Sequence, residues 1–515
     1  MSVAMIKASK FQIQTAGANG TLSRVVRNIF AVSAVLAATA MLAFSPAARA
    51  QGQDKSTSVS KVERLNRAPV SKEILRVQLP RPTVVKLKNG LTLVLQEDHK
   101  LPTVAFTMWI RPGQLADPAD LPGVASFTAG MLREGTATRS SAQIASEVES
   151  LGASLDATSR FGASYTTVDA SGLISDAPKI LDLMSDVVLH PAFSADELAK
   201  FKQAEGATLE QRLSNPTFLG QQAFKRVIYG DTPMAIASPT KASIEKISVD
   251  NLKQFHDKHY LPGNSILGIT GDFKAAEMRA LIEKYFGGWT GAAEAPDKFP
   301  ASAPAQPTKI TLVDRPGSVQ TVIFGGDRGV QRTSPEYYGL AVMNQVIGGG
   351  PQSRLFLDLR EEHSLTYGAY SRFSADLYPG DWFAFSPVRT QVTGEAMERF
   401  LYEFKKINNE LTPQSELDDA HRAIIANFAL SLEQPAQILN DWLTVQYYGL
   451  PVDYWDQYPD HIGSIDAAGV QAAAKKFVDL DHVQWICVGD RKQIQDLLAK
   501  YGTVNVVDVS GQAEN

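Results

Sequence analysis

The sequence predicts an α+β protein of two homologous units, each a mainly antiparallel sheet with helices packed on one face. Three observations carry this. A chain of 515 residues is too long for one hydrophobic core. Within each unit, runs of strands sit next to runs of helices, the pattern of segregated layers. Two long segments also repeat one order of elements. LEQRLSNPTFLGQQAFKRVIYGD, from Leu209, leads to VDNLKQFHDKHYLPGNSILGITGD, ending at Asp272. LSLEQPAQILNDWLTVQYYGL, from Leu430, leads to AAGVQAAAKKFVDLDHVQWICVGD, ending at Asp490. Each reads helix, Pro-marked turn, helix ending in Tyr-Gly, helix, then a strand ending in Gly-Asp, so Asp272 and Asp490 are equivalent. A period of about 200 residues is too long for a solenoid.

Taken in order, the chain opens on Lys7, Lys10, Arg24 and Arg27 ahead of the apolar run Ile29–Phe44, with Ala48-Arg49-Ala50 as a small-x-small site. This reads as a secretory signal over residues 1–50, cleaved after Ala50, and hence as a periplasmic protein with no membrane attachment after cleavage. An uncleaved anchor is the lesser alternative. Losing five positive charges from a chain of net −5 leaves about −10, with no basic footprint for nucleic acid. The content of 44% apolar and 20% charged residues is that of an ordinary globular protein. Cys487 is the single cysteine. It sits in the buried-strand pattern VQWICVGD, as a core thiol that can form no intramolecular disulfide.

Residues 51–76 are polar and are expected to form a flexible leader. Residues 77–291 form the first unit. It opens with VVKLKNGLTLVLQED, whose Asn89-Gly90 marks a hairpin turn, and TVAFTMWIRPG follows as a third strand. Helices are expected at Gly123–Arg133, Ser141–Leu151, Ala177–Leu189 and Ser194–Leu213. Residues 292–307 are an Ala/Pro-rich, semi-rigid linker, and residues 308–507 form the second unit.

The stretch Gly348 to Ser371, GGGPQSRLFLDLREEHSLTYGAYS, holds the densest pattern. Three glycines allow a sharp turn. Leu355, Phe356, Leu359 and His363 then recur at helical spacing. The helix is expected to end near Ser364 and to enter a strand at Leu365 that carries Tyr367, Tyr370 and Phe373. On spacing alone this is equally an amphipathic helix with no special role, and Asp358, Glu361 and Glu362 read as a solvated face.

This segment resembles the C-terminal signature of the M16 metallopeptidases (the pitrilysin, insulysin and mitochondrial processing peptidase family), in which a Gly-rich turn precedes a helix of the form SRLFxxLRExxxLxY. The resemblance covers roughly Pro80 to Tyr501. It implies two M16-type α/β-roll domains, with Arg360 and Tyr367 at the positions of an Arg and a Tyr that reach a zinc site on another domain. That zinc site is an inverted HxxEH on a helix plus a distal Glu. The family stretch aligns with GVASFTAGML, Gly123 to Leu132, where the chemistry is absent. Ser126 stands for the first His, Ala129 for the catalytic Glu and Gly130 for the second His. In ATLEQR, Gln211 stands for the distal Glu, with Glu210 beside it. None of the eight histidines replaces the site. His256 and His259 are near each other, as HDKHY, but without a base, and read as structural.

The resemblance therefore implies a non-catalytic subunit that binds no metal itself. It would pair with an HxxEH-bearing M16 chain that holds the zinc, and supply Arg360 and Tyr367 to that chain's peptide-hydrolysing site. A stand-alone periplasmic peptide-binding protein, or a structural homologue like the core subunits of the respiratory bc1 complex, remain the alternatives.

Overall fold

The computed structural model describes residues 75–294 and 306–513. The expected signal, nearly all of the leader and most of the linker lie outside the described residues.

The first sheet has six strands: β1 (Thr83–Lys86), β2 (Thr92–Glu97), β3 (Thr103–Ile110), β4 (Ser154–Ser159), β5 (Thr166–Leu173) and β6 (Ser265–Gly271). Their spatial order is β1-β2-β6-β3-β5-β4. Only the β2–β6 pair is parallel. The second sheet comprises β7 (Ile310–Asp314), β8 (Gln320–Arg328), β9 (Tyr370–Phe373), β10 (Asp381–Arg389), β11 (Gln484–Gly489) and β12 (Val504–Val507), in the order β12-β7-β11-β8-β10-β9. Five strands of each sheet correspond in order and sense. The sixth differs: β1 precedes its neighbour in the chain and runs antiparallel to it, whereas β12 comes from the C-terminus and runs parallel to β7. Asp272 and Asp490 directly follow the equivalent strands β6 and β11.

The four helices expected in the first half are present at Val124–Met131, Ser141–Ser150, Ala177–Leu189 and Ala195–Ser214. The Asn89-Gly90 turn joins β1 to β2, with Gly90 at φ +98°, where a side chain would be strained. Each sheet packs its own half's helices on one face. In the first half, Leu93, Phe106, Met108 and Ile269 of the sheet meet Phe127, Met184 and Phe286 of the helices in one buried core.

The opposite face of each sheet is covered by a helix from the other half. Pro216–Tyr229 lies on the second sheet, where Leu219 and Phe224 join Phe324, Ile486 and Val488. Pro435–Tyr448 lies on the first, where Leu439 and Leu443 sit over Gly268. These are the two Pro-initiated, Gly-terminated helices of the internal repeat. Their Pro occupies a first-turn position that needs no N–H donor. The junction continues with Trp109 stacked on Tyr165, ring centroids 4.1 Å apart, and Tyr447 edge-on to both. The Tyr447 hydroxyl donates to the Ser164 carbonyl at 2.7 Å, and the Ser164 hydroxyl donates to Asp376 at 2.6 Å.

Candidate functional site

The helix Val124–Met131 starts at Gly123, which is left-handed at φ +105°. The Gly123 and Ala125 N–H groups donate to the two carboxylate oxygens of Asp117 at 2.6 and 2.8 Å. That cap satisfies donors the helix leaves open. Burial pushes the Asp117 carboxyl up to about 7, against the pull of these bonds. The scaffold of this helix is therefore well anchored, but the side chains along it carry no metal chemistry.

The Ser126 hydroxyl donates back to the Gly123 carbonyl at 3.0 Å. Ala129 is fully buried in the apolar core. At Gly130 a Cβ would come within 2.4 Å of Cζ of Phe201, which projects from the helix Ala195–Ser214 and packs edge-on to Phe127 at 5.0 Å. The volume next to position 130 thus holds an aromatic ring. Gln211 is exposed, ten residues beyond Phe201 on the same helix, or about 15 Å along its axis. One hydroxyl committed to the backbone, one methyl, one hydrogen and a nearby phenyl ring do not fit zinc, which takes thiolate, imidazole or carboxylate ligands. Phe201 carried no signal in the sequence, because its role depends on the missing side chain at 130.

The histidine pair reads as structural in its geometry too. His256 Nε2 lies 2.8 Å from the Val188 carbonyl, and His259 Nδ1 lies 2.7 Å from Glu294.

On the signature stretch, the α-helical turn Arg354–Phe356 passes into a π-helical turn, Leu357–Glu362. Such wide turns concentrate at functional sites. Leu355 and Leu359 are fully buried and anchor the turn on the core. Arg360 points outward, its side chain 45% exposed, over the Phe356 ring at 4.8 Å and with Nε 3.4 Å from Glu361. The helix stops at Ser364, which adopts φ +53°.

Tyr367 departs from the sequence expectation. It lies in the loop ahead of β9, which begins only at Tyr370. The cause is a pair of bonds across to β10: the Thr366 hydroxyl donates to the Pro387 carbonyl at 2.6 Å, and the Ser386 hydroxyl to the Gly368 carbonyl at 3.0 Å. Side chains thus take acceptors that a longer ladder would have used. Tyr367 is 89% exposed, and its hydroxyl has no hydrogen-bond partner among the described residues.

Asp358 is a second correction. It does not belong to a solvated face but is buried. Arg399, on the helix Thr393–Asn409, binds its carboxylate in bidentate fashion, with Nε at 2.8 Å and Nη2 at 2.6 Å. His363 Nδ1 approaches the same carboxylate at 2.8 Å. Among the described residues Asp358, Glu362 and His363 are the one triad spaced to share a cation, but the Arg399 guanidinium already neutralises the buried carboxylate at its centre.

The two-sheet α+β architecture, a side-chain-poor helix where a metal would sit, and an exposed Arg/Tyr turn define an M16-type peptidase scaffold. A family model described as "Insulinase (Peptidase family M16)" matches residues 92–230, and one described as "Peptidase M16 inactive domain" matches residues 246–424. The chain belongs to the M16 peptidase family. Among its relatives, an uncharacterized zinc protease of Bacillus subtilis, YmxG, is 24% identical over 67% of this chain and 83% of its own length. One from Mycobacterium bovis is 28% identical over 57% of this chain and 66% of its own length, just under two thirds. A crystal structure described as the peptidase M16 inactive domain from Pseudomonas fluorescens superposes with TM-score 0.74 at 26% identity, covering 79% of this chain and 98% of that one. A protease from Helicobacter pylori shares the fold with TM-score 0.72 at 17% identity, over 80% of this chain and all of that one.

Proposed function

We propose that this chain is a non-catalytic M16 subunit of the periplasm, which pairs with an HxxEH-bearing M16 chain and completes that chain's peptide-hydrolysing site with Arg360 and Tyr367. The observation that carries this reading is the exposure of Tyr367: a phenol 89% open to solvent, on a loop tied down on both sides of it by Thr366 and Ser386. An exposed aromatic side chain on an anchored loop suits a partner's surface. Val319, 79% exposed, accepts through its carbonyl from the Thr390 N–H at the end of β10, so the same end of the second sheet offers a second apolar contact.

In that reading the partner supplies the zinc and the water-activating carboxylate. The Arg360 guanidinium binds a substrate oxygen as a planar fork. The Tyr367 phenol donates to the oxyanion that forms on the attacked peptide carbonyl. An extended peptide adds by main-chain bonds to an open strand edge; the outer edge of β4, which among the described residues pairs only with β5, offers one.

The test is reconstitution of the two chains, with assembly and turnover measured separately. Tyr367→Phe is expected to lower kcat about 100- to 1,000-fold, as loss of an oxyanion donor typically does, while the heterodimer forms normally. Arg360→Ala removes a charge-assisted contact worth about 1.5–3 kcal/mol. The chain alone is expected to bind no stoichiometric zinc and to cleave no peptide. Full turnover with both variants in an assembled heterodimer refutes the assignment.

A further inference from the structure

Beneath the turn that presents Arg360 and Tyr367 lies a buried charged cluster that the proposed reaction does not use. Asp358 is at its centre, gripped by Arg399 and approached by His363. Glu403, one helical turn after Arg399, is 4% exposed and lies within hydrogen-bonding reach of Asp358. Its buried Oε2 has no hydrogen-bond partner among the described residues. Two carboxyl groups in contact in a buried setting cannot both be charged cheaply. One proton between them converts the repulsion into a hydrogen bond.

We propose that Glu403 is a positioning residue for the signature turn: its protonated carboxyl donates to Asp358 and holds the turn closed, and loss of that proton loosens the turn. The catalytic meaning of this latch rests on the function proposed above, whereas the latch itself does not.

The surrounding charges decide the balance. On Glu403's own helix, Arg399 is committed to Asp358, and Lys406 favours the ionised form. On the signature helix Arg354 also favours it; this guanidinium is buried, with Nε on Glu416 at 2.7 Å and both Nη groups unpaired. Burial, followed by the charge of Asp358 and the bond to it, works the other way and wins, pushing Glu403 up from 4.5 to about 7. A group that titrates near 7 in the closed turn and near 4.5 when released must weaken the closed turn on ionising, by up to about 300-fold. From pH 5.5 to 8.5 the closed turn weakens about 30-fold, about 15-fold of it by pH 7, and levels off above that.

Hydrogen exchange of the full chain, followed by mass spectrometry from pH 5.5 to 8.5 and corrected for intrinsic rates, tests this without any partner. Peptides spanning 354–369 are expected to lose about 30-fold in protection between pH 5.5 and 8.5, most of it below pH 7.5, while peptides from β6 stay constant. Glu403→Gln keeps a donor for Asp358 and cannot ionise, so protection should be independent of pH. Glu403→Ala should lose it at every pH. The same pH response in Glu403→Gln as in the natural chain overturns the proposal. So does a response that survives Glu403→Gln but vanishes in His363→Gln, since His363 is the other titratable group on Asp358. In the reconstituted complex, kcat of the natural chain relative to that of Glu403→Gln should fall between about pH 5.5 and 7.5 and level off above. A complex inactive at all pH values, alongside the expected exchange result, sinks the assigned reaction and leaves the latch standing.

Discussion

At position 130 a hydrogen atom stands where any side chain would meet the Phe201 ring, at 2.4 Å from Cζ. The Phe201 ring thus fills space that any longer side chain at 130 would need. Gly130→Ala tests how firmly. Alanine gains up to about 1 kcal/mol of helix propensity over glycine, while overpacking costs about 1–3 kcal/mol. The expected net effect is a loss of roughly 1 kcal/mol in denaturant unfolding. Adding Phe201→Ala should remove the penalty, leaving a coupling between the two sites in a double-mutant cycle. A Gly130→Ala variant more stable than the natural chain would mean that the ring yields freely. Tyr367 shows the converse arrangement at the same scale: it is 89% exposed, so its substitution by Phe should leave stability unchanged and act only in the assembled complex.

At the scale of elements, two helices of the repeat have exchanged sheets, and glycines mark where they touch. Gly220, on the helix Pro216–Tyr229, would place a Cβ 2.4 Å from Phe324 and 3.3 Å from Val488. Gly206, on the helix Ala195–Ser214, would meet nothing within 4 Å. The same substitution should therefore have opposite signs at the two sites. Gly206→Ala is expected to stabilise by up to about 1 kcal/mol, and Gly220→Ala to destabilise by about 1–2 kcal/mol after propensity is counted. Equal effects at both positions in thermal or denaturant unfolding would show that Pro216–Tyr229 does not press on the second sheet. The exchange was only partly legible in the sequence. The repeat revealed that the two helices are equivalent, through Pro at the start and Gly at the end. It did not reveal that each crosses to the other half, because an amphipathic face does not specify which sheet it covers.

For the molecule as a whole, buried carboxyl groups set the pH dependence. Burial pushes Asp117, Glu403 and Asp441 each up to about 7. The folded chain keeps these protons between pH 4 and 7, whereas the unfolded chain releases them. Each group therefore lowers stability as pH rises through that window, by at most about 1.4 kcal/mol per pH unit, and adds no further slope above it. Asp441 isolates one share. It accepts from Gln437 at 3.0 Å, and its Oδ2 has no partner. Asp441→Asn preserves that geometry without the charge. The variant should match the natural chain near pH 4 and exceed it increasingly up to pH 7, with a constant margin beyond. A margin independent of pH would place the Asp441 titration elsewhere. His256 and His421 are shifted down by burial and oppose this slope below 6.5, so the difference between the two proteins is the quantity to measure.

Periodicity, turn residues and order were enough for the sequence by itself to determine the two-unit α+β plan and the equivalent strand ends at Asp272 and Asp490, and the motif around Arg360 carried the M16 resemblance. These depend on local preferences and on burial of one face, which the chain records residue by residue. The same holds for the chemistry of Ser126, Ala129 and Gly130, none of which offers a thiolate, imidazole or carboxylate, since a zinc ligand is defined by its side-chain chemistry. Only the tertiary structure decided the rest. Tyr367 left the expected strand because Thr366 and Ser386 bond across to segments about 20 residues away. Asp358 left the expected surface because Arg399, 41 residues on, folds over it. Phe201 reaches Gly130 from another helix. Each of these depends on which distant groups meet, and spacing along the chain carries no record of that.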